Sequence, residues 1–471
     1  MSLNFNKGLG TFIRLTPFDT STSQGLANER YRRATLTTVT SVIAKSVSVL
    51  TGLITVPLTL NYLGTERYGL WMTISSIMVM MAVADFGLGN GLVNAVSQSD
   101  GRSNREAATS AVSSTFFMLS GVAALFSLVF WSVYSIVPWS RVFNVNSVQA
   151  VQEAGPTMAV FFICFALNLP LGIVQRVQIG YQEGFLSNIW QILGNVLGLV
   201  AVVIAIQFKM GLPWLLLGMS GVPTLIMGIN WLFHFFHQRP WLLPRWSHFD
   251  WKIGKALLGT GAIFMVLAIV NILGTSADNI IIAQTVGSSA VATYAVVQRL
   301  FSVTFLVQMV AVPLWPAFSE ALAKHDYVWV SRAFDRIHTL AVVLTLAICL
   351  TLLLLGQQII SFWAGPQIVP SFLLLAGYAS YRVVTGSNEV VVALLSTERF
   401  IRWQLFIAIT AGLTTFILKI LMASTWQATG VAWAGAIGYG VFYVIPAFVV
   451  IRRILPRTVL SSDPRKLGSQ Q

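Results

Sequence analysis

Residues 189–208 read IWQILGNVLGLVAVVIAIQF, twenty consecutive residues without a charged side chain. At 1.5 Å of rise per residue such a stretch spans about 30 Å as a helix, the thickness of a bilayer's hydrocarbon core. Its apolar residues do not alternate, which argues against a barrel strand. In lipid a helix also satisfies every backbone group within itself. The same pattern recurs at 41–60, 70–92, 111–137, 154–174, 214–236, 257–283, 291–311, 337–355, 369–395, 403–422 and 431–451, making twelve expected spans. Composition agrees. The 471 residues are 56% hydrophobic and only 10% charged, and mean hydropathy is +0.75. A soluble domain carries about 25% charged residues, so most of this chain must be solvated by lipid.

The net charge of +13 invites a nucleic-acid reading, but its distribution excludes one. With the N-terminus placed inside, 22 of the 29 Lys and Arg fall in inner segments. Four (Arg67, Arg141, Lys209 and Lys419) fall in outer loops, and three (Lys45, Arg299 and Arg382) fall inside helices. That bias is a positive-inside signal, which sets both termini in the cytoplasm and leaves no nucleic-acid partner. Cys164 and Cys349 lie in apolar spans and read as small core residues. His234 and His237 stand at i, i+3, with no carboxylate or cysteine to complete a metal set. Neither a metal nor a cofactor is expected. Residues 1–34 lack an apolar signal segment and read as a cytoplasmic tail.

The chain reads as duplicated. Leu63-Gly64-Thr65-Glu66-Arg67-Tyr68 between spans 1 and 2 is echoed by Val286-Gly287-Ser288 through Tyr294 between spans 7 and 8. A weaker echo pairs Gln182-Glu183-Gly184-Phe185 with Thr397-Glu398-Arg399-Phe400. The expected fold is an all-α membrane protein of about twelve transmembrane helices. They would form two six-helix bundles related by a pseudo-twofold axis along the membrane normal, a transporter architecture. The expected divisions are the tail 1–34, a bundle at 35–236, a cytoplasmic linker at 237–252, a bundle at 253–452 and a tail at 453–471.

Several stretches resemble a known family. Tyr62-Leu63-Gly64, Tyr68-Gly69-Leu70-Trp71 and Asp85-Phe86-Gly87-Leu88-Gly89-Asn90-Gly91-Leu92 resemble Wzx-type polysaccharide flippases. So do Ala277-Asp278-Asn279 with Val286-Gly287, and Pro313-Leu314-Trp315-Pro316-Ala317-Phe318-Ser319-Glu320-Ala321. These belong to the multidrug/oligosaccharidyl-lipid/polysaccharide exporter superfamily. The resemblance implies a flippase that moves an undecaprenyl-diphosphate-linked oligosaccharide across the bacterial inner membrane by alternating access, for O-antigen or exopolysaccharide assembly. Membrane lipids surround it, and a polysaccharide polymerase and chain-length proteins are candidate partners. A monomer is expected.

Charges inside spans cost about 2.5–3.5 kcal/mol each on insertion scales, so each marks a candidate site. Tyr378, Arg382, Thr385 and Glu389 follow i, i+4, i+7, i+11 and form one polar stripe. Arg382 reads as an anion site for the diphosphate, since its fork matches phosphate oxygens, or as one half of an ion pair. Arg299 reads as a second phosphate contact or as the partner of Asp278. Lys45 shares a face with Ser41 and Ser48 and either lines a cavity or snorkels to the surface. Asp85, Glu389 and Asp278 are candidates to carry a coupling ion, and pairing alone would also satisfy them. Asn188, Gln191 and Asn195 form a stripe suited to sugar hydroxyls or to interhelical hydrogen bonds.

Two other functions stay open. An ion-coupled multidrug/cation antiporter would prefer an acidic cavity. An integral-membrane glycan-modifying enzyme would need acids or histidines in its outer loops, where only Glu66 and Glu153 stand. The expectation is a transporter, not an enzyme.

Overall fold

The computed structural model describes residues 14, 16–19, 22–305, 307, 318, 321–322, 326–397 and 400–454. The motif at 313–321, apart from Phe318 and Ala321, lies outside the described residues, as do 398–399 of the weaker echo and 455–471 of the C-terminal tail. Among the described residues every regular element is a helix. The first half holds α1 (Ser23–Met81), α2 (Leu88–Gly101), α3 (Arg105–Tyr134), α4 (Trp139–Val142), α5 (Val148–Leu171), α6 (Ile173–Gly180), α7 (Gly184–Gln207), α8 (Leu212–Leu216) and α9 (Val222–Phe233). There follow α10 (Trp251–Thr275), α11 (Asp278–Thr285), α12 (Ser288–Phe301), α13 (Tyr327–Ala364), α14 (Phe372–Leu395), α15 (Ile401–Tyr439) and α16 (Ile445–Ile454).

Among the described residues seven runs are long and apolar enough to cross a membrane. Two of them, Tyr31–Asp85 with 55 residues and Arg402–Arg453 with 52, each have length for two crossings. Each is also broken part-way, at Gly64 (φ 74°, ψ 174°) and at Gln427 (φ 54°, ψ −140°). Helices α10, α12 and α14 lie in the intervals read as the seventh, eighth and tenth spans. The outer faces are apolar: Phe362 is 96% exposed, Leu128 71% and Leu354 70%. Such side chains would be a liability in water and are the expected surface in lipid.

The chain forms two compact units. One comprises Met1–Tyr62, Met81–Val142 and Val148–Val266; the other comprises Leu63–Met80, Phe143–Ser147 and Leu267–Gln471. In the first, Leu88, Leu92 and Val96 of α2 pack on Ala111 and Val112 of α3 and on Val177 of α6. Lipid supplies no hydrophobic drive between helices, so close approach of backbones carries much of the packing. At Gly91 a Cβ would fall 2.6 Å from the Leu257 carbonyl oxygen, and only glycine lets α2 come so near α10. One end of this unit is tied by charge. Glu29 accepts from Arg32 at 2.7 Å, from Arg33 at 2.9 Å and from the Phe18 amide at 3.0 Å. Arg239 forms a two-pronged pair with Glu183 at 2.8 and 2.9 Å.

In the second unit two short segments are fastened to the α11–α12 turn. Asn144 Nδ2 donates to the Ala283 carbonyl at 3.1 Å, and Ser288 Oγ donates to the Phe143 carbonyl at 2.7 Å. Glu66 accepts from the amides of Asn146 at 2.6 Å and Ser147 at 3.1 Å. The glycines aligned by the internal echo both combine a positive φ with an extended ψ: Gly287 has φ 117° and ψ 163°, Gly64 φ 74° and ψ 174°.

Two outcomes follow from this packing. A Cβ at Gly69 would lie 1.6 Å from the Ser288 carbonyl oxygen, whereas one at Gly259 meets nothing within 4 Å. Gly69→Ala should therefore lower stability by about 1–3 kcal/mol or more, and Gly259→Ala should be neutral or stabilising, read by thermal unfolding in detergent. Hydrogen bonds from Arg32 lower the Glu29 carboxyl from 4.5 to about 2, against an opposing effect of burial, with Arg33 and Phe18 adding to the lowering. A depressed carboxylate stabilises the fold fully above its unfolded value, and the benefit is lost as pH falls through its folded value. The stability gap between wild type and Glu29→Gln should thus hold at pH above 4.5, shrink below it and vanish near pH 2.

Candidate functional site

The second unit encloses a polar cavity of about 260 Å³. Ser75 and Ser76 of α1, Asp278 and Asn279 of α11, and Gln298 and Arg299 of α12 line it. Asp278 opens α11 just after the chain breaks at Ser276–Ala277, so its side chain enters the unit at a helix start. There it is 2% exposed and held on both oxygens. Oδ1 accepts from Lys419 Nζ, and Oδ2 accepts from the Tyr294 hydroxyl at 2.5 Å. Lys419, with no exposed surface, also donates to the Gly274 carbonyl at 2.6 Å and lies 5.5 Å from the centre of the Tyr381 ring. The acid's charge is answered inside the protein.

Arg299 is different. It lines the same cavity, yet among the described residues it has no carboxylate partner. Sequence allowed an Arg299–Asp278 pair; the structure gives that aspartate to Lys419 instead. Asn279 adds an unmet acceptor. Its Nδ2 donates to Ser76 Oγ at 2.8 Å, while its Oδ1 is buried without a donor among the described residues. Buried polar atoms are normally paired, and an orphan beside a cavity is an opening for a ligand's hydroxyl. Among the described residues the cavity therefore presents one cation without an acid partner amid hydroxyls and amides, a composition suited to an anionic, hydroxylated ligand.

The other sequence candidates are more scattered. Half-buried Arg382 donates from Nε to Thr304 Oγ1 at 2.8 Å. Thr304 stands two residues past the cavity's Ser302, so Arg382 lies near Arg299's end of α12. No ion pair involving Arg382 or Glu389 occurs among the described residues. Tyr378 is buried and packs edge-on against Tyr294 at 5.6 Å, while Thr385 bonds back to the Tyr381 carbonyl. In the first unit Lys45 is exposed on α1. Asp85 lies 3.9 Å from Arg176 and accepts from the Gly87 amide at 2.9 Å. Asn188 makes the interhelical bond, to Thr40 Oγ1 at 3.0 Å. Side chains of Asn271 and Thr275, which helical spacing puts on the face of Asp278, lie outside the described residues.

Lys419 was missed. It was assigned to an outer loop, although the apolar run 403–422 encloses it, and α15 in fact carries it into the protein interior. An ammonium near the end of an apolar run reads as a snorkelling residue unless its partner is known.

A family model described as "Polysaccharide biosynthesis protein" matches residues 37–322, more than half of the chain. The chain belongs to the polysaccharide biosynthesis protein family. A Yersinia pseudotuberculosis protein named for O-antigen export is 21% identical over 410 residues, covering 84% of this chain and 88% of the relative. An inward-facing multidrug resistance transporter of the MATE family and MOP superfamily shares the fold with a TM-score of 0.74 at 13% identity, over 89% of this chain and 96% of that one. The lipid II flippase MurJ, in an inward closed conformation, gives 0.65 at 13% identity, over 88% and 87%. The Wzx-type resemblance holds. Family and export-named relatives mark the chain as a transport protein rather than an enzyme, and its long apolar helices make it a multi-pass membrane protein.

The buried pair makes a sharp prediction. Lys419→Met leaves Asp278 charged and stranded, and should cost about 3–5 kcal/mol in thermal unfolding. Adding Asp278→Asn should restore a large part of that loss. A double variant no more stable than Lys419→Met would mean that the two groups do not answer each other.

Proposed function

We propose that the chain flips a lipid-linked oligosaccharide, with undecaprenyl diphosphate as the carrier, from the cytoplasmic to the outer leaflet of a bacterial inner membrane. The cargo would serve O-antigen or exopolysaccharide assembly, and the protein would work by alternating access. Both termini would be cytoplasmic, in line with the 22 inner basic residues, although Lys419 no longer counts among the outer ones. A polymerase and chain-length proteins are the proposed partners downstream.

One observation carries this reading: Arg299 faces a hydroxyl-rich cavity uncompensated, because Lys419 already neutralises the nearest acid. An antiporter for cationic drugs needs the reverse, a free acid. In the proposed site Arg299 meets the diphosphate, and Asn279 Oδ1 accepts from a sugar hydroxyl. Arg382 and Tyr378 adjoin it, and Lys45, exposed on the first unit, is a separate proposed contact for an anionic head group. Asp85 and Glu389 are the proposed carriers of any coupling ion. Asp278, held by Lys419 and Tyr294, would take part only by exchanging a partner.

The test is transfer of a labelled oligosaccharide-diphosphate lipid between leaflets of proteoliposomes, with and without a pH gradient. Wild type should transfer it. Arg299→Ala should slow transfer at least about tenfold at unchanged thermal stability, the scale of losing one charge-assisted contact. Arg299→Lys should recover only part, because the fork is lost. Arg382→Ala should also reduce transfer. Glycolipid that stays put while the same vesicles move cationic dyes would turn the assignment to the multidrug antiporter.

A further inference from the structure

The first unit carries a groove that the cavity of the second does not explain. It holds about 610 Å³ and is walled almost wholly by apolar side chains, among them Phe86, Phe117, Trp246, Phe249, Trp251 and Leu258. Its α10 wall runs from Trp251 to Met265, fifteen residues or ~21 Å of helix, a length that accepts about four isoprene units.

Three features set it apart from ordinary lipid-facing surface. First, Phe86 sits in the left-handed region (φ 51°, ψ 25°), where a bulky residue is an outlier. It follows the 3-10 turn Ala82–Asp85, and Gly87 next to it is also left-handed. The Asp85 carboxylate fixes this bend by accepting from the Gly87 amide at 2.9 Å. The result is a phenyl ring 40% exposed at the groove wall. Second, the aromatic wall is assembled in advance. Trp246 stacks on Phe249 at 4.9 Å, and Phe117 meets Trp246 edge-on at 4.8 Å. The connector bearing them is pinned to α3 by two fully buried serines: Ser113 Oγ accepts from the Arg245 amide at 3.3 Å, and Ser114 Oγ accepts from the Asp250 amide at 2.9 Å. A belt of interfacial tryptophans needs no such fastening. Third, one end of the groove is rimmed by exposed cations. Arg245 precedes Trp246, and Lys252 and Lys255 stand in the first turns of α10. Lys255 shares a face with Trp251 and Leu258 at i, i+4, i+7 spacing. Against these three stands Asp250, whose carboxylate caps the Lys252 amide at 2.7 Å.

We infer that this groove binds the polyprenyl chain of the lipid-linked cargo, with the diphosphate at its basic rim, as the docking site from which the head group is handed on. The inference rests on the flippase reading and deepens it. An apolar slot with a cationic mouth matches an isoprenoid carrying a charged diphosphate. The preformed aromatic wall suits a rigid, methyl-branched chain, since little ordering remains to be paid on binding.

Binding of radiolabelled undecaprenyl diphosphate to the full chain in phosphatidylcholine nanodiscs tests this. Competitors are geranyl diphosphate, geranylgeranyl diphosphate and phosphatidylglycerol. Geranylgeranyl diphosphate, with four isoprene units, should compete nearly as well as undecaprenyl diphosphate, and geranyl diphosphate much less. Phosphatidylglycerol should compete poorly. Phe86→Asn keeps a residue that tolerates the left-handed bend, and Trp246→Ala alters a side chain 68% exposed, so both should fold. Each should weaken binding of the two longer prenyl probes about tenfold, as expected for one lost aromatic contact. Wild-type affinities in both variants, with glycolipid transfer by wild type intact, would overturn the groove and leave the flippase standing. Equal competition by phosphatidylglycerol would make it a bulk-lipid groove and equally overturn the inference. Wild type that neither binds prenyl diphosphates nor transfers glycolipid would remove both readings.

Discussion

An ammonium group buried without any exposed surface must have its charge answered by the protein, and in the second unit Asp278 answers that of Lys419. The pair is costly to build, because desolvating two ions offsets most of their attraction. It is therefore surrounded by further partners: the Gly274 carbonyl, the Tyr294 hydroxyl and the face of Tyr381. Through these contacts α10, α11, α12, α14 and α15 meet at one point. The cavity beside it takes its character from that arrangement. With the aspartate neutralised, Arg299 is the charge left to face whatever enters.

The main features of the fold were legible in the sequence because lipid imposes simple requirements. A run such as 189–208 has no other stable home, and a lopsided distribution of arginine and lysine has a topological cause. The matched loops at Gly64 and Gly287 were readable because a glycine at positive φ leaves a compositional trace, and the structure gives both a positive φ with an extended ψ.

Pairing was much less legible. Asp278 and Arg299 were visible as charges in membrane spans, but sequence alone could not say that the acid belongs to Lys419, 141 positions away. Lys419 itself was hidden by its place near the end of an apolar run. Phe86 was hidden in a different way. The glycines around it stand out in the sequence, yet only the backbone angles show that the phenylalanine itself takes the strained position. The stripe from Tyr378 to Glu389 was real as a helix face, but its members serve different neighbours: Tyr378 packs among aromatic rings, Arg382 bonds a threonine and Thr385 bonds its own helix.

The order in which the pair is made matters for biogenesis. Asp278 enters the membrane first, and 141 residues must follow before Lys419 is synthesised. At about 5–20 residues per second the aspartate waits roughly 7–28 s. During that interval its carboxylate has no lysine and must be held by water, or by Tyr294 once α12 forms. The helix bearing Lys419, in contrast, arrives where a partner already stands. Its insertion, which would cost about 2.5–3.5 kcal/mol for a lone lysine, is eased by the segment made before it. The chain thus assigns the lonelier part of assembly to the acid and spares the lysine an unpaired entry.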